Sequence, residues 1–415
     1  MGHITSKNYL DLQKRLDKHA QGAPMSDSLL KLLEELFTKD EADKLAKLPI
    51  KPFTAKIAAK RWKVSVKDSQ KLLDQLAEKG VLLDFLKGDE QRYVIPPTMA
   101  GFFEFSLMRT DGKFNRKVLS ELFYKYINEE EEFIFEALEQ KTSIARTFIH
   151  EYTIPEESKS EVLDYERASK VIETATCITV GTCYCRHKME HVGKACDMPQ
   201  DVCLTFNTAA KSLSKHGVAK EISKEEAKKI LDKCVDLGLV QVGDNVEEGV
   251  AWICNCCGCC CEALLAYKKI GYTSRLNSNF YAEIDQEKCV KCGLCVKKCP
   301  VDAIEEKDDK IVVNKEVCIG CGVCVRACPQ KFITMHDRGD KAFVPKNGFE
   351  RCVINAIERG KLQNYIFDNY ELWTNEMLRH LLGIILKLSG SKFLIANKQL
   401  KSRFLKMLRK AAEKM

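Results

Sequence analysis

Residues 289–329 read CVKCGLCVKKCP, an intervening segment, then CIGCGVCVRACP. The spacing C-x2-C-x2-C-x3-C-P therefore occurs twice, at a repeat of 29 residues counted from Cys289 to Cys318. Thiols at this spacing wrap backbone around one corner of a four-iron cubane, and the fourth cysteine crosses to the neighbouring cluster. Cys289, Cys292, Cys295 and Cys328 are expected to hold cluster one, and Cys318, Cys321, Cys324 and Cys299 cluster two. Gly293 and Gly322 allow the positive φ that such a wrap demands. Pro300 and Pro329 turn the chain after the fourth ligand.

A second concentration of thiols lies upstream. TCYCRHKMEHVGKACDMPQDVCLTF carries Cys183, Cys185, Cys196 and Cys203, and WICNCCGCCC carries Cys254, Cys256, Cys257, Cys259, Cys260 and Cys261. A disulfide needs its Cα atoms about 4.4–6.8 Å apart with converging side chains, so six thiols in eight positions cannot pair among themselves without strain. Thiolates this dense repel one another unless a cation neutralises them. Three readings stand for these ten: one or two further [4Fe–4S] clusters, a four-thiolate zinc site, or a partly open cluster suited to catalysis or a reactive dithiol. Zinc sites favour pairs spaced by two to four residues, which fits CxC plus two later cysteines less well. Arg186, His187 and His191 either donate N–H bonds to cluster sulfur and raise its potential, or stand exposed beside a turn. Cys234, on the apolar face of a helix starting at the Ser223/Glu226 capping box, reads as a packed thiol, as do the lone Cys177 and Cys352. No Ser–His–Asp set, phosphate loop or dinucleotide glycine pattern is present, so no catalytic residue, flavin or nicotinamide site is assigned.

The elements that must position these thiols are legible around the repeat. YAEIDQEKC against KIVVNKEVC, and VDAIEE against QKFITM, give each half a strand, a cluster loop, a short helix and a strand. Residues 281–336 thus resemble a bacterial-type two-cluster ferredoxin domain, matched at all eight ligand positions. With YERASKVIETATCITVGTCYCRH before it and FERCVINAIERGKLQNYIFDN after it, the stretch 160–405 is similar to anaerobic ferredoxin-type 4Fe–4S proteins. The resemblance implies electron transfer between redox protein partners, not a defined substrate.

Upstream, SDSLLKLLEELF reads as a helix capped by Ser26 or Asp27. PFTAKIAAKRWKVSVKDSQKLLDQLAEKG reads as helix, turn at Val64-Ser65, and helix, and VLLDFLKGDEQRYVIPP as a hairpin turning at KGDE. This order resembles a winged-helix domain. Its second helix sets Lys67, Lys71 and Lys79 against Asp68, Asp74 and Glu78, a balance that predicts little phosphate affinity, although Lys60, Arg61 and Lys63 precede it. Docking to protein is therefore expected ahead of DNA binding. In 111–160, ELFYKYINEEEEFIFEALEQ reads as helix, with Glu129 to Glu132 at a helix start where acids favour the dipole.

The chain has 415 residues and 21 cysteines, and fifteen of those lie from Cys254 to Cys352. Its net charge of +7 equals that of the tail from Ser389, where eight Lys/Arg oppose Glu413 alone. Leu400, Phe404, Met407, Leu408 and Ala411 make that tail a basic amphipathic helix, fit to pack on its own protein or to meet an acidic partner or membrane surface. The run LLGIILKLSGSKFLIA is broken by Lys387, Gly390 and Lys392 and is too short to span a membrane. MGHITSKNYLDLQK has no apolar core of a secretory signal, so a reducing, cytoplasmic setting is expected.

The expected fold is α+β and multi-domain. An N-terminal extension (1–25) leads into a winged-helix-like domain (26–110) and a helical linker (111–160). A cysteine-rich α/β module (161–280), a βαβ-βαβ ferredoxin domain (281–340) and a helical C-terminal segment (341–415) follow. The expected function is a single-electron carrier with two [4Fe–4S] clusters and a third in the middle module. The alternatives are an iron–sulfur transcription regulator or an iron–sulfur subunit of an anaerobic reductase.

Overall fold

The computed structural model describes residues 6–138, 141–156, 166–270, 276–339, 341–366 and 368. Helices Lys7–Leu16, Asp27–Leu36, Lys39–Ala46, Ala55–Trp62 and Val66–Glu78 lead into a hairpin of β1 (Leu83–Lys87) and β2 (Glu90–Val94). Ser26 and Ser65 accept hydrogen bonds from the backbone N–H groups of Leu29 and Asp68, so each fixes a helix start. Lys63, left-handed at φ 56°, ends the helix before the turn. The N-terminal extension before residue 26 carries a helix of its own. Lys7–Leu16 buries Tyr9, Leu12 and Leu16 and packs on Lys39–Ala46.

Six strands form one antiparallel sheet: β3 (Ala145–Phe148), β4 (Ile178–Thr182), β5 (Asp201–Phe206), β6 (Lys220–Glu221), β7 (Val240–Asp244) and β8 (Trp252–Cys256). Their order is β3-β7-β8-β5-β4-β6. Helices Ala168–Thr174 and Lys224–Asp236 close one face through Ile172, Ala227 and Leu231 on Leu204, Phe206 and Ile253. The Ser223/Glu226 capping box forms as expected. Two expectations change here. Strand β3 falls inside the segment read as a helical linker, because ARTF is too short and too polar to show a strand period. The acidic run bridges the end of the helical turn Lys125–Glu129, which continues Arg116–Tyr124, and the start of Glu132–Leu138, with only Glu132 in a first turn and Glu131 at φ 40°.

The repeat folds as read: β9 (Phe280–Ile284), helix Leu294–Lys298, β10 (Ile304–Lys307), then β11 (Lys310–Val313), helix Val323–Ala327, β12 (Ile333–Asp337). β9 pairs with β12 and β10 with β11, both antiparallel. After it, helix Gly348–Glu358 carries Arg351, which pairs with the buried Asp244 of β7. Asp368 returns to the N-terminal helices, accepting from Arg15 Nη1 and from the Ile50 N–H, each at 2.6 Å. One apolar core runs through these modules, from Tyr9 and Leu12 to Ile333 and Met335. The basic helix read from Leu400 and the apolar run from Leu381 lie outside the described residues. Among the described residues, no helix is long and apolar enough to cross a membrane.

Candidate metal centres

Each cysteine run of the repeat is a tight loop that ends on a short helix, with Gly293 (φ 70°) and Gly322 (φ 84°) left-handed at the helix entry. Cys289, Cys292, Cys295 and Cys328 line one small cavity, and Cys299, Cys318, Cys321 and Cys324 line another. The fourth cysteine of each run thus stands with the three of the other. The Ala303 N–H donates to Cys299 Sγ at 3.2 Å. Burial pushes the Cys321 and Cys324 thiols up, and the Val323 N–H opposes it at Cys321. Buried thiols met by backbone N–H donors are the environment a cubane's ligands need, so the residues fit two such clusters.

The two cavities differ in exposure. At the first, Cys292 is exposed and Val290 and Leu294 are 64 % and 40 % exposed. At the second, the loop is docked: the His150 N–H donates to the Cys321 carbonyl at 3.0 Å and Tyr267 Oη to the Val317 carbonyl at 3.2 Å.

The ten upstream thiols separate into two groups. A register shift between Gly181 and Thr182 ends β4 and delivers Cys183 to the N-cap of helix Tyr184–His191. Cys203 sits on β5, Cys254 and Cys256 on β8, and Cys261 N-caps helix Glu262–Lys269. Because strand side chains alternate, Cys254 and Cys256 share a face and Asn255 takes the other. There Asn255 donates to the Val202 carbonyl and accepts from Gln241. Cys203 Sγ is 3.9 Å from Cys254 Sγ. Cys256 reaches Cys254 and Cys261, and Cys185 reaches Cys261 and Cys183, which closes an arc of six thiols. This arc lines a cavity of about 260 Å³, together with Arg186, Trp252, Glu262 and Tyr267. The Cys261 thiol is held low, first by hydrogen bonds from Cys185 and Cys256, with the Ala263 and Leu264 N–H groups adding to it.

The remaining four, Cys196, Cys257, Cys259 and Cys260, lie with all their sulfurs within 4.8 Å of one another. Sγ separations are 3.6 Å for Cys196–Cys257, 3.8 Å for Cys196–Cys260 and 3.7 Å for Cys259–Cys260.

Arg186 stands between the groups. The exposed reading fails for it: the side chain is 1 % exposed, and its Nη1 donates to the Asn255 carbonyl at 3.1 Å and to Cys257 Sγ at 3.7 Å. Its Nε and Nη2 are buried without a partner among the described residues, while the side chain lines the six-thiol cavity. Buried donors left over at a thiol-lined cavity fit a cluster that presents sulfide acceptors. His187 is buried as well, but its ring meets His191, with Nε2 atoms 3.2 Å apart. Cys234 is fully buried with Met189 and Leu239, and burial pushes its thiol to about 12. Burial likewise raises Cys177 and the half-buried Cys352.

Two features escaped the sequence. Lys188, on the same helix as Cys185, and Glu262, next after Cys261, form an ion pair, their side chains 0 % and 2 % exposed. Burial lowers the Lys188 ammonium to about 8. Only the register of Glu262 after Cys261 hinted at this, since its partner is 74 residues away. Gly258 is the other. A Cβ there would stand 2.5 Å from the Pro300 carbonyl oxygen and 2.8 Å from Pro300 Cα. The CNCCGCCC run therefore touches the residue that follows Cys299.

Residues 282–335 match the family model of a 4Fe-4S dicluster domain, and residues 317–358 match a second model of the same description. Neither the curated proteins nor the solved structures gave a match. The family matches begin after the ten upstream thiols.

Proposed function

We propose that this ferredoxin-type iron–sulfur protein passes single electrons between redox partners through its dicluster domain and a further centre in the six-thiol cavity. The contact of Gly258 with Pro300 carries the proposal. It sets the backbone beside Cys257 and Cys259 against the backbone beside Cys299, with no side chain between them. A 4Fe–4S cluster, when bound, supplies one-electron chemistry at a potential set by its hydrogen bonds, charge and exposure. The chain supplies position and environment. Cys289, Cys292, Cys295 and Cys328 would hold one cluster, Cys299, Cys318, Cys321 and Cys324 the second, and ligands for a third would come from the six-thiol arc.

The exposure of the two cavities gives the path a direction. Val290 and Leu294 offer an apolar patch beside the exposed Lys297 and Lys298, a face suited to an acidic redox partner. The other end is sealed against the central sheet by His150, Thr153 and Tyr267. Among the N-terminal helices docking remains the better reading than DNA. Arg61 spends its guanidinium on the carbonyls of Lys47 and Asp368, and the exposed positions Lys67, Asp68, Lys71 and Glu78 alternate in sign.

The test mixes the oxidised, anaerobically purified chain with a reduced low-potential one-electron donor and follows the visible absorbance. Reversible bleaching, with reoxidation by a one-electron acceptor, is the expected result. A chain that exchanges no electrons with such reagents would overturn the proposal.

A further inference from the structure

We infer that Cys196, Cys257, Cys259 and Cys260 hold one tetrahedral divalent ion, zinc or ferrous iron, separate from every iron–sulfur cluster. The spacing of the four sulfurs suits a single ion. Four thiolates about 2.3 Å from a single ion at tetrahedral angles stand roughly 3.8 Å apart. Three of the six pairs, at 3.6, 3.7 and 3.8 Å, fall on that value, and all six lie within 4.8 Å. Ligands of a cubane bind four different irons, so a whole cube keeps their sulfurs further apart. The same structure provides the comparison. Among the described residues, the group of three or more thiols gathered closely enough to share one ion is this quartet.

Local chemistry agrees with one ion. Four thiolates around a divalent cation leave two net negative charges, and the buried Arg186 offsets one through its hydrogen bond to Cys257. All four positions come from protein, the arrangement of a structural rather than a catalytic site. Cys196 belongs to the loop after helix Tyr184–His191, and the other three follow β8. One ion would tie that loop to the CNCCGCCC run and hold Gly258 on Pro300. The ion would use none of the six thiols of the cavity, and its readout, metal against sulfide, is separate from the electron exchange that tests the proposed function.

The experiment measures zinc, iron and acid-labile sulfide on the anaerobically purified full chain and on Cys196→Ser/Cys259→Ser. One zinc per chain, or one iron in excess of sulfide, is expected in the wild type and is lost in the double variant while sulfide is unchanged. The first result names zinc and the second iron. Sulfide falling with the lost metal, or retention of that metal by the variant, would overturn the inference. Should the variant not fold, X-ray absorption of the wild-type zinc decides the matter, or Mössbauer spectra if the extra metal is iron. Four sulfurs at about 2.3 Å with no metal–metal scattering, or a ferrous site outside the cluster envelope, supports it. Metal–metal scattering at the zinc, or iron found only in clusters, refutes it.

Discussion

Arg186 is a fixed positive charge among thiolates, its side chain buried at the wall of the six-thiol cavity. A buried cation favours the more negative, reduced state of a neighbouring centre, and its unspent N–H groups lower the energy of charge gained by sulfur. Arg186→Gln should therefore lower the midpoint potential of the cavity centre and leave the dicluster midpoints in place, as read by a potentiometric EPR titration. An unchanged midpoint for every centre would remove Arg186 from the redox environment. Gly258 acts by what it lacks. Gly258→Ala would push a methyl into Pro300, costing roughly 1–3 kcal/mol of stability. It should slow reduction of the cavity centre several-fold in stopped-flow experiments while cluster content stays the same. Identical traces would mean that electrons do not use this joint. At this scale the sequence was uneven. The eight thiols of the repeat were readable because their grouping follows local spacing, whereas Gly258 matters only for what folds against it.

Asp84 on β1 joins the N-terminal hairpin to the central module. Burial alone would raise its carboxyl, but hydrogen bonds from His216, Lys215 and Ser212 hold it well below the carboxylate range. A depressed folded pKa gives stability that is present above the unfolded value of about 4 and is lost as pH falls. Asp84→Asn should cost roughly 1.5–3 kcal/mol near neutral pH. The gap between wild type and variant in denaturant titrations should close as pH drops below about 4. A gap independent of pH would mean that the carboxylate charge is not what joins these elements. Helices and hairpins were legible here from caps, periods and turn residues such as Ser65 and Gly88-Asp89. Strand β3 was not, because its four residues become a strand only by pairing with β7, nearly a hundred residues on. The same limit hid the division of the ten thiols. Alternation puts Cys254 and Cys256 on one face, but that Cys203 lies across from them, and Cys196 does not, is decided by how β5 meets β8.

The whole molecule is polarised, with one thiol quartet near solvent and the second sealed against a central module that carries ten more thiols. Partner docking should be confined to the exposed end. Val290→Glu, on a side chain 64 % exposed, should weaken electron exchange with an acidic donor protein by about tenfold, through lost apolar contact and like-charge repulsion, with little change in stability. Equal rates for wild type and variant would place the docking face elsewhere. The dicluster repeat was visible in the sequence, but its fusion with the rest of the chain was not. Motifs mark modules one at a time, whereas the core shared from Leu12 to Met335 and the Arg15–Asp368 pair depend on contacts across most of the chain. The most direct test of the account is an EPR-monitored reductive titration of the anaerobic chain beside Cys254→Ser/Cys256→Ser. At least three reducible centres are expected in the wild type, and the loss of one in the variant, with both dicluster signals retained. Only two centres in the wild type, or the same spectrum from both proteins, would contradict it.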